Sequence, residues 1–292
     1  MIQKVYVNIP ANAVAGGCES LYQLVDAINN VGGYASIIWD KNMANPIPAK
    51  YSHYNIKWGE PVEDEPQNWV IYPEVWTEKV HTFSKMKKSI WWLSVDNNHN
   101  RFKEWGDESI THFYQSYYAL SHIQKNGGVK YLYINDYISQ KYLDTNYDKT
   151  QKQNVVLYNP IKGIDITNQI MQNNTDIEFT PIRGLDENGV IELLKTSKVY
   201  IDFGHHPGRD RIPRESAHLG CCVITNKKGS AGFYNDVLVP SKYKTTNIDE
   251  VGTLIRDCFD NYDNCLNEQN IYHSTIINQK ELLHNLCKQY FL

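Results

Sequence analysis

The densest run of reactive side chains in the chain is Asp202-Phe203-Gly204-His205-His206-Pro207-Gly208-Arg209-Asp210-Arg211-Ile212-Pro213-Arg214-Glu215. An apolar run, Val199–Phe203, ends there as a buried strand. A loop rich in Gly, Pro and Arg follows. A short helix, Pro213–Leu219, then leads through Gly220 into a second buried run, Cys221–Thr225. Ligands of open α/β sheets sit beyond the carboxyl ends of strands, where this loop lies. Arg209, Arg211 and Arg214 beside a helix N-terminus suit a diphosphate, because guanidinium forks and helix-end N–H groups converge on phosphate oxygens. Gly208 allows close approach, and His206 is a further candidate contact. The alternative is a solvated loop in which Arg209-Asp210-Arg211 is a local ion-pair cluster.

A second candidate lies near the start, where Val7-Asn8-Ile9-Pro10 is followed by Gly16-Gly17-Cys18-Glu19-Ser20. Two glycines ahead of a helix let a backbone approach a ligand, although a plain tight turn explains them as well. The pattern is neither G-x-G-x-x-G nor a P-loop, so dinucleotide and kinase readings lose their main support. A third set follows apolar runs: Tyr72-Pro73-Glu74, Ser94-Val95-Asp96-Asn97-Asn98-His99 and Gln115-Ser116. A group transfer to a hydroxyl with inversion needs a general base. Asp96, at the mouth of the run Ser89–Val95, ranks first, then Glu74, then His99. Asp-Asn-Asn after a strand is also a common turn. No metal site is expected. His205 and His206 are adjacent and diverge, and His218 has no cysteine or carboxylate at close ligand spacing.

Strands and helices must position these groups. Lys4–Ile9, Tyr34–Trp39, Trp69–Tyr72, Ser89–Val95, Thr111–Tyr114 and Lys130–Ile134 read as strands. Glu19–Asn30 repeats Leu21, Leu24, Val25 and Ile28 at helical spacing before Gly32-Gly33, and a second helix spans 116–125. The polar segment Asp144–Asn154 reads as an interdomain linker. The pattern then restarts. Val155–Tyr158, Ile177–Pro181, Val199–Phe203 and Cys221–Thr225 are strands. Ile164–Asn173, 186–194, Pro213–Leu219, Ile248–Tyr262 and Ile271–Tyr290 are helices. Strands alternating with helices predict parallel sheets. With 292 residues, about two domains follow: 1–150 and 151–292, the last helix crossing back onto the first.

Composition narrows the function. Hydrophobic residues are 41% and charged residues 21%, which excludes disorder as the dominant state. A net charge of −4 lacks the basic surplus of a nucleic-acid-binding protein, so nucleic acid is an unlikely partner. No apolar run reaches the ~18–20 residues of a membrane span. The opening Met1–Val7 is too short and too soon polar for a signal peptide. Six cysteines without C-x-x-C spacing read as reduced, in a cytoplasmic protein. Aromatics at 12%, with 21 tyrosines, fit a surface that meets flat polar ligands such as sugars or bases; an aromatic core explains them equally.

The run from Gly208 through Arg211-Ile212-Pro213-Arg214-Glu215-Ser216-Ala217-His218-Leu219-Gly220-Cys221-Cys222-Val223-Ile224-Thr225, followed by Lys228-Gly229-Ser230-Ala231-Gly232, resembles the donor half of GT-B glycosyltransferases of the GT4-like type. Ala15-Gly16-Gly17 is similar to the N-terminal glycine loop of that fold. Tyr158-Asn159-Pro160-Ile161-Lys162-Gly163 is similar to the element that opens its donor domain. The stretch Ile177–Phe203, with Arg183 and Gly184, is similar to the one that follows. The resemblance implies an α/β fold of two Rossmann-like, doubly wound domains facing across a cleft. It implies that Glu215 holds the donor ribose and Lys162 lies near the donor diphosphate. Gly229 and Ser230 would approach the donor through their backbone, and Gly16 and Gly17 would face the diphosphate. The family's first glutamate of an E-x7-E pair is missing, since Pro207 occupies that slot. An arginine usual before Lys-Gly is also missing, and Arg209, Arg211 or Arg214 would supply the charge. Retention or inversion therefore stays open.

The expected activity is transfer of a sugar from a nucleotide-diphosphate sugar to a glycan or lipid-linked acceptor in surface polysaccharide synthesis. No cofactor is expected beyond that co-substrate. The expected location is cytoplasmic, with peripheral contact at the inner face of the cell membrane as an option. The rivals are a non-catalytic module that binds a nucleotide sugar or glycan, a nucleotide-sugar epimerase of similar fold, and a transferase acting on DNA.

Overall fold

The computed structural model describes residues 3–39, 45–99 and 101–292; Met1 and Ile2 of the opening run lie outside the described residues. Two compact units are present. The first comprises the chain up to Tyr137, with Pro207–Arg209 and Gln279–Leu292. The second comprises Ile138–His206 and Asp210–Asn278.

In the first unit, β1 (Lys4–Asn8), α1 (Gly16–Asn30), β2 (Tyr34–Ile38), β3 (Trp69–Pro73), β4 (Lys87–Trp92), β5 (Ile110–Tyr114), α2 (Tyr117–Lys125) and β6 (Tyr131–Tyr133) follow in chain order. The strands form a parallel sheet in the order β2-β1-β3-β4-β5-β6. Val5, Tyr6 and Val7 of β1 are all buried, as expected of a strand covered on both faces. Leu21, Leu24, Val25 and Ile28 bury the apolar stripe of α1. The connections β3–β4 and β4–β5, for which no helix was expected, hold no α-helix. They carry the 3₁₀ segments Glu74–Lys79 and Val95–Asn97 instead of α-helices. Large rings fill the missing layer. Trp105 and the partly buried Trp76, Phe83 and Phe102 pack with Tyr72, Ile90 and Trp92 of the sheet.

In the second unit come α3 (Gln140–Leu143), β7 (Gln153–Tyr158), α4 (Ile164–Asn173), β8 (Glu178–Pro181), α5 (Glu187–Thr196), β9 (Ser197–Asp202), α6 (Arg211–His218), β10 (Cys222–Thr225), α7 (Val251–Asp260), α8 (Tyr262–Glu268) and α9 (Asn270–Ile277). The sheet is parallel, in the order β10-β9-β7-β8. In each sheet the first strand has the second on one side and the third on the other. The direction of the crossovers therefore reverses between β1 and β3, and between β7 and β9. The carboxyl ends of such strand pairs open a crevice in doubly wound sheets.

Three boundaries differ from the expectation. The polar segment 144–154 lies inside the second unit, because Ile138 and Tyr142 ahead of it are buried in that unit's core. The helix expected over 271–290 breaks at Asn278 into α9 and α10 (Gln279–Phe291). α10 packs on α1, and its Phe291 meets Trp69 edge-on at 5.7 Å. The strand expected to reach Val95 stops at Trp92, for a reason found in the site. All six cysteines are free. Among the described residues no helix is long and apolar enough to cross a membrane.

A buried lysine ties the second unit together. The Lys152 ammonium donates to the carbonyls of Leu194 (2.7 Å), Ser197 (2.8 Å) and Leu219 (2.6 Å). These carbonyls belong to the C-terminal ends of α5 and α6, which lack intrahelical partners and carry partial negative charge. Burial pulls the ammonium below the ordinary lysine value, while Cys221 and Cys222 oppose that shift. Lys152→Met keeps the stem and removes the three donors. The expected loss is about 3 kcal/mol or more of unfolding free energy in a urea titration. A loss below about 1 kcal/mol would mean that water replaces the ammonium.

Candidate functional site

In the second unit, the loops after β7 and β9 meet back to back. Gly163 adopts φ +64°, and a Cβ there would lie 2.4 Å from the Phe203 carbonyl oxygen, so only glycine fits. Lys162, next to it, reaches Asp210 with Nζ 2.7 Å from Oδ2. The His206 ring stands between two carboxylates, its Nδ1 2.9 Å from Asp210 Oδ2 and its Nε2 3.5 Å from Asp202 Oδ1. Asp202 in turn accepts from the Tyr200 hydroxyl (3.0 Å) and the Gly204 amide (3.0 Å). The Ser230 amide donates to the His206 carbonyl at 2.9 Å, and Gly229 bridges to His206.

Charge follows from this packing. Burial pushes the His206 imidazole down, but the hydrogen bond to Asp210 and the charges of Asp202 and Asp210 outweigh it and raise its pKa. Burial pushes the Asp210 carboxyl up, but His206 and Lys162 outweigh that and hold it below the usual carboxylate range. The network runs in contact order Asp202, His206, Asp210, Lys162.

His206 has no exposed surface, so it does not face a ligand as the sequence suggested; it stands behind Asp210. Arg214 is equally buried and its Nε donates to the Asp210 carbonyl at 3.2 Å. Arg211 is the first residue of α6 and partly buried, and Glu215 is 7% exposed on the same helix. Lys162 keeps 36% of its side chain exposed, which makes it the accessible end of the network. Arg183 and Gly184 are exposed on the loop after β8.

In the first unit, Gly16 and Gly17 are exposed and open α1, where Ala15 at the N-cap provides no side-chain acceptor for the first-turn amides. Glu74 follows β3. Its carboxyl is buried and accepts from the main-chain amides of Leu93 and Ser94, both at 3.1 Å. Gln115 donates to the Leu93 carbonyl at 3.0 Å. These side chains capture the backbone beyond Trp92, which is why β4 ends there. Gly208 pairs with Ser94, and a Cβ on it would come within 1.9 Å of the Leu93 carbonyl oxygen. The Val95 amide donates to the Pro207 carbonyl at 3.1 Å, and Arg209 reaches the Tyr133 hydroxyl at 3.2 Å. Asp96 is exposed and accepts from the Tyr118 hydroxyl at 3.2 Å. His99 is exposed at the end of the same turn.

The structure therefore gathers Lys162, His206, Gly229 and Ser230 in one unit, and Gly17, Glu74 and Gly208 around Leu93–Ser94 in the other. Asp96 stands apart from Glu74, with Tyr118. Sequence reasoning gave no role to Asp202 or Tyr118, and took Asp210 only as part of a possible ion-pair cluster with Arg209 and Arg211. It set His205 and His206 aside as diverging neighbours, yet Asp202 and Asp210, four residues to either side of His206, both reach its ring. The spacing was visible; the loop that folds it onto itself was not. Among the described residues, Asp202-His206-Asp210 and His81-Glu104-Asp107 are grouped closely enough to hold a cation. In the first set Lys162 and His206 already balance the carboxylates. In the second, an exposed one, His81 Nε2 lies 2.6 Å from Glu104 and its Nδ1 3.2 Å from Lys88 Nζ.

No family model matches the chain, and no curated protein matches it in sequence. Solved structures do match in fold. HepE of Anabaena, solved with UDP and glucose, superposes with a TM-score of 0.66 at 10% identity, over 98% of both chains. T4 phage BGT, solved with its UDP-glucose substrate, does so at 0.61 and 12% identity, over 99% of both chains. WaaG, a glycosyltransferase involved in lipopolysaccharide biosynthesis, gives 0.59 at 10% identity, over 97% of this chain and 99% of that one. The fold, two Rossmann-like α/β units with parallel sheets, is the GT-B fold of glycosyltransferases.

Burial pushes the Glu74 carboxyl up to about 7, against the pull of the Leu93 and Ser94 amides. In the unfolded chain it ionises near its ordinary 4.5. Between these values the folded state holds a proton that the unfolded state has lost. This group therefore lowers stability as pH rises from 4.5 to about 7, by roughly 3 kcal/mol in all. Urea titrations at about pH 5 and about pH 8 should show that fall in the wild type and a flatter response in Glu74→Gln. Equal pH dependence in the two proteins would refute an elevated Glu74.

Proposed function

We propose that the chain is a glycosyltransferase that uses a uridine-diphosphate sugar. The observation that carries this reading is the accessible Lys162 ammonium after β7, where the crossovers reverse, on a fold shared with proteins solved with UDP and UDP-glucose. Lys162, Arg211 and the first-turn amides of α6 would hold the donor diphosphate, with Arg209 as a further cation. Glu215 would bind the ribose hydroxyls, and Gly229 and Ser230 would approach the donor through their main chain. Arg214 and His206 would support these contacts from behind.

In the transfer, the anomeric carbon–oxygen bond to the phosphate breaks and the acceptor oxygen takes its place. Negative charge develops on the leaving diphosphate, where fixed cations and amides stabilise it most. Asp96, exposed and oriented by Tyr118, is the proposed base that removes the acceptor's hydroxyl proton in an inverting reaction. Glu74 is fully engaged by two amides and serves to shape the strand mouth instead. The network at Asp210 carries its own cations, which supports a metal-independent reaction. The acceptor class in this reading is a glycan or lipid-linked hydroxyl of surface polysaccharide synthesis; WaaG, a glycosyltransferase involved in lipopolysaccharide biosynthesis, shares the fold.

The test is calorimetry against UDP, GDP, CDP, ADP and dTDP and their glucose conjugates, followed by transfer assays. UDP and UDP-glucose should bind, and Lys162→Met or Glu215→Ala should weaken them at least roughly tenfold, the loss of one charged hydrogen bond. Asp96→Asn should keep donor affinity and lose about a hundredfold or more in transfer rate. Silence across the nucleotides would overturn the reading. Binding without turnover would leave a binding module, and donor epimerised without acceptor would make the chain an epimerase.

A further inference from the structure

Lys162 is the one member of the network that solvent reaches freely, and its partner Asp210 is shared. Oδ2 of Asp210 lies 2.7 Å from Lys162 Nζ and 2.9 Å from His206 Nδ1. A single carboxylate oxygen therefore serves two cations, one exposed and one with no exposed surface. Behind His206 the chain ends in Asp202, which the Tyr200 hydroxyl and the Gly204 amide hold in place.

We propose that His206 is a positioning residue that acts through Asp210 to set how much positive charge Lys162 presents to a bound diphosphate. The inference rests on the reading of Lys162 as a donor contact. With His206 protonated, its charge offsets Asp210, and the ammonium is left to attract phosphate. With His206 neutral, Asp210 is balanced by Lys162 alone, and a phosphate must compete with that carboxylate for the ammonium. Donor affinity is thereby linked to a proton on a side chain that the donor never touches.

The groups around the ring support the assignment. β9 contributes Asp202 and Tyr200. The loop after β7 contributes Lys162, through Asp210. The start of α6 contributes Asp210, whose carbonyl Arg214 holds. The turn at Gly229 and Ser230 contributes main chain: the Ser230 amide donates to the His206 carbonyl. Protonation of His206 is favoured above its ordinary 6.5, which puts the change on the alkaline side of that value. Affinity should be full at low pH and fall as pH rises through the raised value.

UDP-glucose is the probe, because its diphosphate keeps a constant charge over the range of interest. Calorimetry from about pH 6 to about pH 8.5 should show wild-type affinity falling roughly tenfold, one pH unit's worth of linkage. His206→Gln should bind at the weak alkaline level throughout, and Lys162→Met should be weaker still and flat. By reciprocity, saturating UDP-glucose should raise the His206 titration midpoint, followed by NMR of labelled histidine, by the logarithm of the affinity ratio. A second readout needs no ligand and no His206 variant. In the free protein, Lys162→Met should raise the His206 midpoint, since it removes the competing cation.

A flat wild-type affinity, or the same slope in His206→Gln, overturns the proposal while leaving the donor site intact. An unmoved His206 midpoint in Lys162→Met overturns the relay by itself. If UDP-glucose fails to bind at any pH although that midpoint does move, the donor reading has failed and takes the proposal with it.

Discussion

A main-chain amide or carbonyl that leaves a sheet in the interior must still find a hydrogen-bond partner, and in this chain buried acidic and basic side chains supply it. Glu74 receives the two amides that follow β4. Lys152 donates to the carbonyls that end two helices. Asp202 receives the amide of Gly204 just past β9. Each of these groups is buried, so each costs desolvation free energy that only its full set of partners offsets.

The same constraint explains why chemistry collects at two places. In each sheet the crossovers reverse direction beside the first strand, and the loops diverge to opposite faces. In the first unit that point carries the Gly16-Gly17 turn and Glu74. In the second it carries Lys162, His206 and Asp210. Glycines permit the close packing: Gly163 lies against the Phe203 carbonyl and Gly208 against that of Leu93. The exposed cation and the exposed Asp96 are what remain at the surface once the buried groups have satisfied one another.

Much of the architecture was legible in the residues. Apolar runs of four to six residues between glycines and polar turns marked the strands, and α4 was expected and found over Ile164–Asn173. The period of α1 was legible because one face of that helix is buried. At Glu74 and Val95 no helix was expected and 3₁₀ segments are found, but the tryptophan and phenylalanine rings that fill the missing layer come from distant positions and were not legible. The break at Asn278 was hidden for a similar reason. The apolar pattern continues across it, but α9 and α10 belong to different units.

The site shows the same division. Arg, Gly and Lys at strand ends are visible as residue types, and their suitability for phosphate follows from their chemistry alone. Whether a given side chain faces outward is a property of the packed chain. His206 and Arg214 looked like ligand contacts and are wholly buried, whereas Lys162 remains accessible. Pairings such as Lys162 with Asp210, 48 positions apart, depend on which strands become neighbours. By itself the sequence determined the alternation of elements, the two parallel sheets and the cationic loop, because these follow from local periodicity and composition. Only the tertiary structure decided which charges neutralise one another and which are left for a ligand, because that depends on distances between residues remote in the chain.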